Sequence, residues 1–443
     1  MSWLNRYFEL DKRGSSVGTE LRGAAATFLT MSYILVANPA ILSAAGIPFA
    51  SAVACTAAAA GICCLAMGML ANFPVALASG MGLNAVIAFQ IAKQAGSWQT
   101  AMGLVVWDGL VILVLVLCGL REAMMEAIPV DLRRAIGAGI GLFIAFIGAV
   151  NAHMVVVPPG TLAELTRRPG AAMPPVGSGS LGSPDTAVAV LGLMVTAYFL
   201  SRRVRGGIVY GILIASVMGW IAGIGKPPAG LAWPSFEVAF QADILGALRW
   251  ELVPVLLAVL LVDFFDTLGT VTAISEGAGL ADERGRIPGL RNVLLVDSCS
   301  ASVGGLFGAS SVTCYIESAA GVAEGARTGL HTVFVGLMFL ASIFLAPLAE
   351  AIPAAATAPA LILVGFLMAA PMTRIDFEHP DTAIPAFLTL VMLPYTYSIT
   401  HGIGYGFLTF VAIQVLSGKH REVHPLMYGA SALFAAYFIW GVA

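Results

Sequence analysis

Residues 72–84, NFPVALASGMGLN, and residues 305–317, GLFGASSVTCYIE, stand at an offset of 233 and share an oddity. Each breaks a long apolar stretch with Gly, Pro or Ser, and neither holds an unbroken run of strong helix formers. In lipid, backbone that leaves the helix has no water to bond to, so it survives only where it is packed in protein or lines a cavity. Interrupted segments at corresponding positions of two halves are the best sequence pointer to a transporter's binding site. The offset sets Asn84 opposite Glu317, one polar residue per half.

The rest of the chain supplies the membrane. Of 443 residues, 59% are hydrophobic and 11% charged, and mean hydropathy is +0.90. A soluble domain carries about 25% charged residues, so a soluble enzyme is excluded. No basic stretch interleaved with aromatics is present, which leaves no footprint for nucleic acid. The six cysteines fall in apolar segments without CxxC spacing, so neither disulfides nor zinc are expected. The polar, amphipathic start, MSWLNRYFELDKRGSS, reads as an interfacial helix and not as a signal peptide.

Apolar runs long enough to span or half-span a bilayer fall at 22–44, 49–71, 75–92, 98–119, 130–150, 186–200, 206–224, 250–275, 291–309, 311–324, 328–347, 353–371, 382–398 and 402–416. A further run, 424–442, is apolar enough to span. With a cytoplasmic N-terminus, alternation through these fourteen segments puts 17 of the 22 basic residues inside. Only Lys93, Arg167, Arg168, Lys226 and Arg249 are left outside, the asymmetry that sets orientation.

The chain also repeats itself in order. SAAGI (43–47) returns as EGAGL (276–280), EAIP (126–129) at 350–353, DTAV (185–188) as DTAI (381–384), and GIVYGIL (207–213) as GIGYGFL (402–408). Seven segments per half is an odd number, so the second half enters from the opposite side: an inverted repeat, as in secondary transporters. The Pro/Gly-rich stretch 151–185 carries no enzymatic pattern.

A carboxylate at mid-membrane costs about 2.5–3.5 kcal/mol on insertion scales, so each one asks for a reason. By this assignment Lys and Arg keep to the span ends, as Arg22, Arg133, Arg134 and Arg291 do, whereas Asp108, Asp263, Asp266, Asp297 and Glu317 lie within spans. Asp263 and Asp266, three apart, share a helix face. Away from water and from basic partners, such carboxyls are candidates to carry a proton. Asp108 and Asp297 read more readily as packing residues. Two carboxyls, one amide and the N–H groups at half-helix starts suit a flat neutral molecule with alternating donors and acceptors, and suit an anion poorly. The glycines of GAGIG (137–141) read as helix packing. His331 and His401, at span ends, and the four loop histidines read as interfacial or solvated.

Three stretches, 20–46 (ELRGAAATFLTMSYILVANPAILSAAG), 262–280 (VDFFDTLGTVTAISEGAGL) and 308–330 (GASSVTCYIESAAGVAEGARTGL), closely resemble the nucleobase/ascorbate transporter superfamily. Within it they resemble the AzgA-like permeases for adenine, guanine and hypoxanthine, and the similarity covers nearly the whole chain. The resemblance implies an all-α polytopic fold of 14 transmembrane segments in a 7+7 inverted repeat, with segments three and ten each a short strand plus a half-helix. It also implies a core (22–119 and 250–347) and a gate (130–224 and 353–416); the N-terminal cytoplasmic or interfacial segment (1–21) is read from its own residues, and the additional C-terminal apolar run (424–442) departs from the family pattern. The resemblance places substrate binding on Asn84, Asp263 and Glu317, with Tyr315 lining the pocket. Asp266 falls on the position associated with proton symport, and Asp297 and Glu317 join it as candidate proton-coupling residues.

The expectation is therefore a proton-coupled symporter importing purine nucleobases by an elevator-type motion, with no cofactor beyond the coupling proton and no enzymatic activity. It sits in a cytoplasmic membrane, in contact with lipid, and a homodimer through the gate domain is left open. The alternative is a transporter of the same fold for xanthine or urate, uracil or a small anion. The histidine that some pyrimidine-specific relatives carry in the eighth segment is missing, which argues against uracil.

Overall fold

The computed structural model describes all residues except 1–2, 120–126, 159–160, 162–175, 226, 228–232, 281–286, 288 and 441–443. It leaves undescribed the side chains of 264, 265, 268, 269, 272, 273, 276, 277 and 440. Of the charges used for orientation, Arg121, Arg167, Arg168, Lys226, Arg284 and Arg286 lie outside the described residues, as does most of the 151–185 stretch.

The chain is built of helices, and among the described residues eight are long and apolar enough to cross a membrane, from Val17–Ala45 to Ile399–Leu416. Several start on signals that the sequence repeats. Pro129 and Pro353, the prolines of the two EAIP stretches, cap the Val130–Asn151 and Ala354–Met368 helices. The PDTA pairs open the Pro184–Ser201 and Pro380–Tyr395 helices with Pro and Asp in the first turn. There Pro gives up an N–H that has no helical partner anyway, and Asp meets the positive helix end.

Packing gathers the helices into two sets, in each of which elements distant in sequence meet. In one, Phe49–Ala66 packs on Gly329–Ala341 and Trp98–Leu117 on Leu290–Leu306. In the other, Val130–Asn151 packs on Ala354–Met368 and Pro380–Tyr395, and Pro184–Ser201 on Gly207–Ile221. Glycine permits these approaches. A Cβ on Gly109 would sit 2.6 Å from the Ser298 carbonyl, and one on Gly141 would sit 2.6 Å from that of Gly365. Helix association in lipid draws on close backbone contact of this kind, because burying apolar surface there brings little.

The N-terminal Trp3–Phe8 helix is stitched to the bundle, with Tyr7 donating to the Met69 carbonyl at 2.8 Å and Phe8 buried. The C-terminal run forms the Pro425–Trp440 helix, whose Phe438 ring meets Tyr405 and His401 at 5.1 and 5.4 Å. One expectation is corrected here. His331 is neither interfacial nor solvated: it is fully buried, its Nε2 2.8 Å from Thr27 Oγ1. The small Gly23 and Gly321 beside it leave room for the ring, and the Thr27 hydroxyl replaces the water it would otherwise need.

Candidate functional site

The two stretches that opened the sequence reading meet inside the first set of helices. Leu77–Ser79 and Val312–Cys314 are short strands paired antiparallel, Leu77 opposite Cys314 and Ser79 opposite Val312, and all six residues are buried. Two further backbone bonds extend the pairing, from Gly80 N–H to the Ser311 carbonyl (2.8 Å) and from Tyr315 N–H to the Ala76 carbonyl (2.9 Å). Each strand thus supplies the hydrogen bonds that its partner lost by leaving the helix. A side chain at Gly80 would press its Cβ to 2.9 Å from the Thr313 methyl, so glycine is what lets the strands touch. Short helices follow both strands, Met81–Val86 and Ser318–Ala323, the second with Glu317 as its N-cap residue.

Around this crossing the candidate residues fall into different environments. Glu317 is half-buried and accepts from the Tyr33 hydroxyl at 2.9 Å. Asp263 and Asp266 lie on the continuous Val253–Ala278 helix but point about 60° apart, the angle that three residues leave at 3.6 per turn. Asp263 turns inward and accepts from the Ser311 hydroxyl at 2.9 Å, whereas Asp266 is exposed. The charged groups that act on Asp266 are all carboxyls: Asp263, Glu317 and Asp297.

Tyr315 is buried, and its hydroxyl donates to the Ser79 carbonyl at 2.5 Å, a bond that holds the crossing together. Asn84 has no exposed surface. Its Oδ1 lies 2.8 Å from the Ser79 hydroxyl, which links it to Tyr315 through Ser79, while its amide nitrogen meets no acceptor among the described residues. Asp297 accepts from the Thr267 hydroxyl (2.7 Å) and from the Cys314 N–H (3.1 Å), clamping one strand to two helices.

Asp263, Asp266, Glu317 and Tyr315 are therefore brought together; Asn84 is tied in from behind, and Asp297 is turned toward the scaffold. Sequence reasoning missed Tyr33, Ser79, Ser311 and Thr267. Each is a hydroxyl in a largely apolar span, and a hydroxyl by itself distinguishes no partner. Two apolar cavities of about 290 Å³, one beside Trp107 and Trp250 and one between Leu257 and Met427, lie away from the crossing. In such a setting the cluster can accept hydrogen bonds from ligand N–H groups and can take up protons. It offers no cation to an anionic ligand.

Comparison with known proteins agrees in extent and kind. Residues 18–405 match the Permease family. The chain is 37% identical to the adenine permease AdeP of Escherichia coli, over 97% of this chain and 95% of that one. It is 38% identical to the guanine/hypoxanthine permease PbuG of Bacillus subtilis, over 99% of this chain and the whole of its relative. The transmembrane domain of a cyanobacterium bicarbonate transporter, BicA, shares the fold at a TM-score of 0.58 and 17% identity, covering 94% of this chain and 98% of that one. A helical bundle with eight span-length helices, a match over most of its length and relatives of equal extent that are named transporters and not enzymes together make this chain a multi-pass membrane protein of the Permease family.

Proposed function

We propose that this permease imports purine nucleobases together with protons. The observation that carries the reading is the crossing itself: carboxyls from two elements and a tyrosine hydroxyl gathered where the charged neighbours of Asp266 are all acidic. A purine ring edge presents N–H donors beside ring-nitrogen acceptors. Glu317 and Asp263 accept from the donors, the Asn84 amide answers the acceptors, and the Tyr315 ring walls the pocket; the N–H groups of Ser318, Ala319 and Ala320, which the sequence reading offered to a ligand, are already bonded to the Tyr315, Ile316 and Glu317 carbonyls. Relatives named for adenine and for guanine/hypoxanthine support the substrate class.

Asp266, exposed beside this cluster, takes the coupling proton, with Glu317 and Asp297 as further members of the relay. The elevator reading assigns 22–119 and 250–347 to a moving core and 130–224 and 353–416 to a gate, in a 7+7 inverted repeat with a cytoplasmic N-terminus. The two sets of helix pairings and the recurring helix-start signals support it. A homodimer would pair through the gate.

The test is uptake of labelled hypoxanthine into proteoliposomes with and without an inward proton gradient, competed by adenine, guanine, xanthine, uracil and sulfate. Gradient-driven uptake blocked by adenine and guanine alone upholds the proposal. Uptake indifferent to the gradient removes proton coupling. Block by sulfate transfers the protein to the anion reading that the BicA-like fold keeps in view.

A further inference from the structure

Asp108 is the one charged residue of the Trp98–Leu117 helix, and it is fully buried. Neither of its oxygens accepts a hydrogen bond from an N–H or hydroxyl of the described residues. Its polar neighbour is another carboxyl, that of Asp263, in hydrogen-bonding contact, with the Asp297 carboxyl the next charge.

Among the described residues, the surrounding elements bring no compensating cation to it. The Val253–Ala278 helix contributes Asp263 and, beyond it, the exposed Asp266; the Leu290–Leu306 helix contributes Asp297, with Arg291 exposed at its start and Cys299 turned outward. Lys93, on the short Ala92–Ala95 helix, is exposed. Asp243 reaches the same helix two turns away, at Thr100.

Two ionised carboxylates are acceptors only, so they can bond to each other only with a proton between them. Side by side and out of water, both cannot stay charged. Meanwhile the Ser311 hydroxyl donates to Asp263 Oδ2 and fixes which way that carboxyl faces.

We propose that Asp108 and Asp263 hold one proton between them, and that Asp108 is the positioning residue that keeps Asp263 singly charged and oriented for a purine N–H. The proposal rests on the purine reading above and adds to it a fifth carboxyl, on a helix outside the two crossing segments. When the shared proton leaves, two anions face each other, Asp263 turns off its bond, and the base is released. Binding and protonation are then linked at a point separate from Asp266.

The experiment uses the full-length protein in detergent, with labelled hypoxanthine binding measured between about pH 5 and about pH 9 for wild type, Asp108→Asn and Asp108→Leu. Wild type should lose affinity by about tenfold or more toward alkaline pH. Asp108→Asn, whose amide N–H donates at every pH, should change by less than about threefold across the range. Asp108→Leu, which offers no donor, should bind at least about tenfold more weakly throughout. Infrared spectra of the substrate-free protein at neutral pH should show a protonated-carboxyl C=O band that shrinks in Asp108→Asn.

An Asp108→Asn variant that keeps the wild-type pH profile overturns the proposal. So does equal weakening by Asn and Leu at every pH, or an unchanged C=O band. If wild type binds no purine, the substrate reading falls, and the infrared comparison alone decides the shared proton.

Discussion

The Tyr33 hydroxyl donates to Glu317 Oε1 at 2.9 Å, across 284 residues of sequence, and so ties the first helical run to the strand crossing. This bond aims the Glu317 carboxylate, whose second oxygen takes the ligand in the purine reading proposed above. Tyr33→Phe keeps the ring and the packing and removes only the donor. Loss of a hydrogen bond to a charged group, about 1.5–3 kcal/mol, predicts weakening of purine binding by about tenfold or more. Equilibrium binding of labelled hypoxanthine, with a melting curve to show that the fold persists, checks it.

Asp263, Asp266 and Glu317 should separate by role. Glu317→Gln and Asp263→Asn each remove a charged acceptor and should abolish measurable binding, a loss of at least about a hundredfold. Asp266→Asn should impair gradient-driven accumulation more than binding. Parallel binding and uptake assays on the same preparations distinguish the two patterns. Equal loss of both in Asp266→Asn would contradict its role as proton carrier.

Thr267 should matter to stability out of proportion to its size. Its hydroxyl meets both Asp297 Oδ2 (2.7 Å) and Thr313 Oγ1 (2.8 Å), joining the Val253–Ala278 helix, the Leu290–Leu306 helix and the Val312–Cys314 strand. Thr267→Val is close in shape but leaves a buried carboxylate short of a donor, at a cost of about 1–3 kcal/mol. The expected result is a lower melting temperature in detergent. An unchanged melting temperature would show that Asp297 is held without the Thr267 hydroxyl.

Arg205, just before the Gly207–Ile221 helix, forms an ion pair with Glu324, which caps the end of the Ser318–Ala323 helix. Arg205 is 58% exposed, and a pair so open to water adds only about 0–1 kcal/mol. Its value is as a position marker between the two sets of helices. In a background lacking the native cysteines, Arg205→Cys with Glu324→Cys should be joined by a bifunctional methanethiosulfonate reagent that spans the gap left by the two long side chains, a gap too wide for a direct disulfide. If core and gate slide past each other, that link stops uptake and a reductant restores it. Full uptake by the cross-linked protein would exclude relative motion at this point.

Much of this was legible in the chain. The membrane character followed from composition, because lipid tolerates few charges. The two broken segments followed from Gly, Pro and Ser at matched positions, because backbone that cannot stay helical in lipid must find bonds in protein; that they are short strands that meet was implied by the family resemblance alone. The separation of Asp263 from Asp266 was not legible: spacing puts them on one face, but about 60° of rotation sends one to Ser311 and the other to open space. Burial of His331 was not legible either, since the Thr27 hydroxyl that meets its Nε2 lies 304 residues away.

By itself, the sequence determined that this is a membrane chain with acidic residues inside its spans and two broken segments at related positions. These are local properties, set by the cost of charge and of unbonded backbone in lipid. Only the tertiary structure decided which groups meet: Tyr33 with Glu317, Thr267 with Asp297, Asp108 with Asp263. Partnership depends on which helix faces touch, and those contacts, fixed by glycines such as Gly109 and Gly141 that let backbones approach, join residues whose spacing along the chain carries no trace of their nearness.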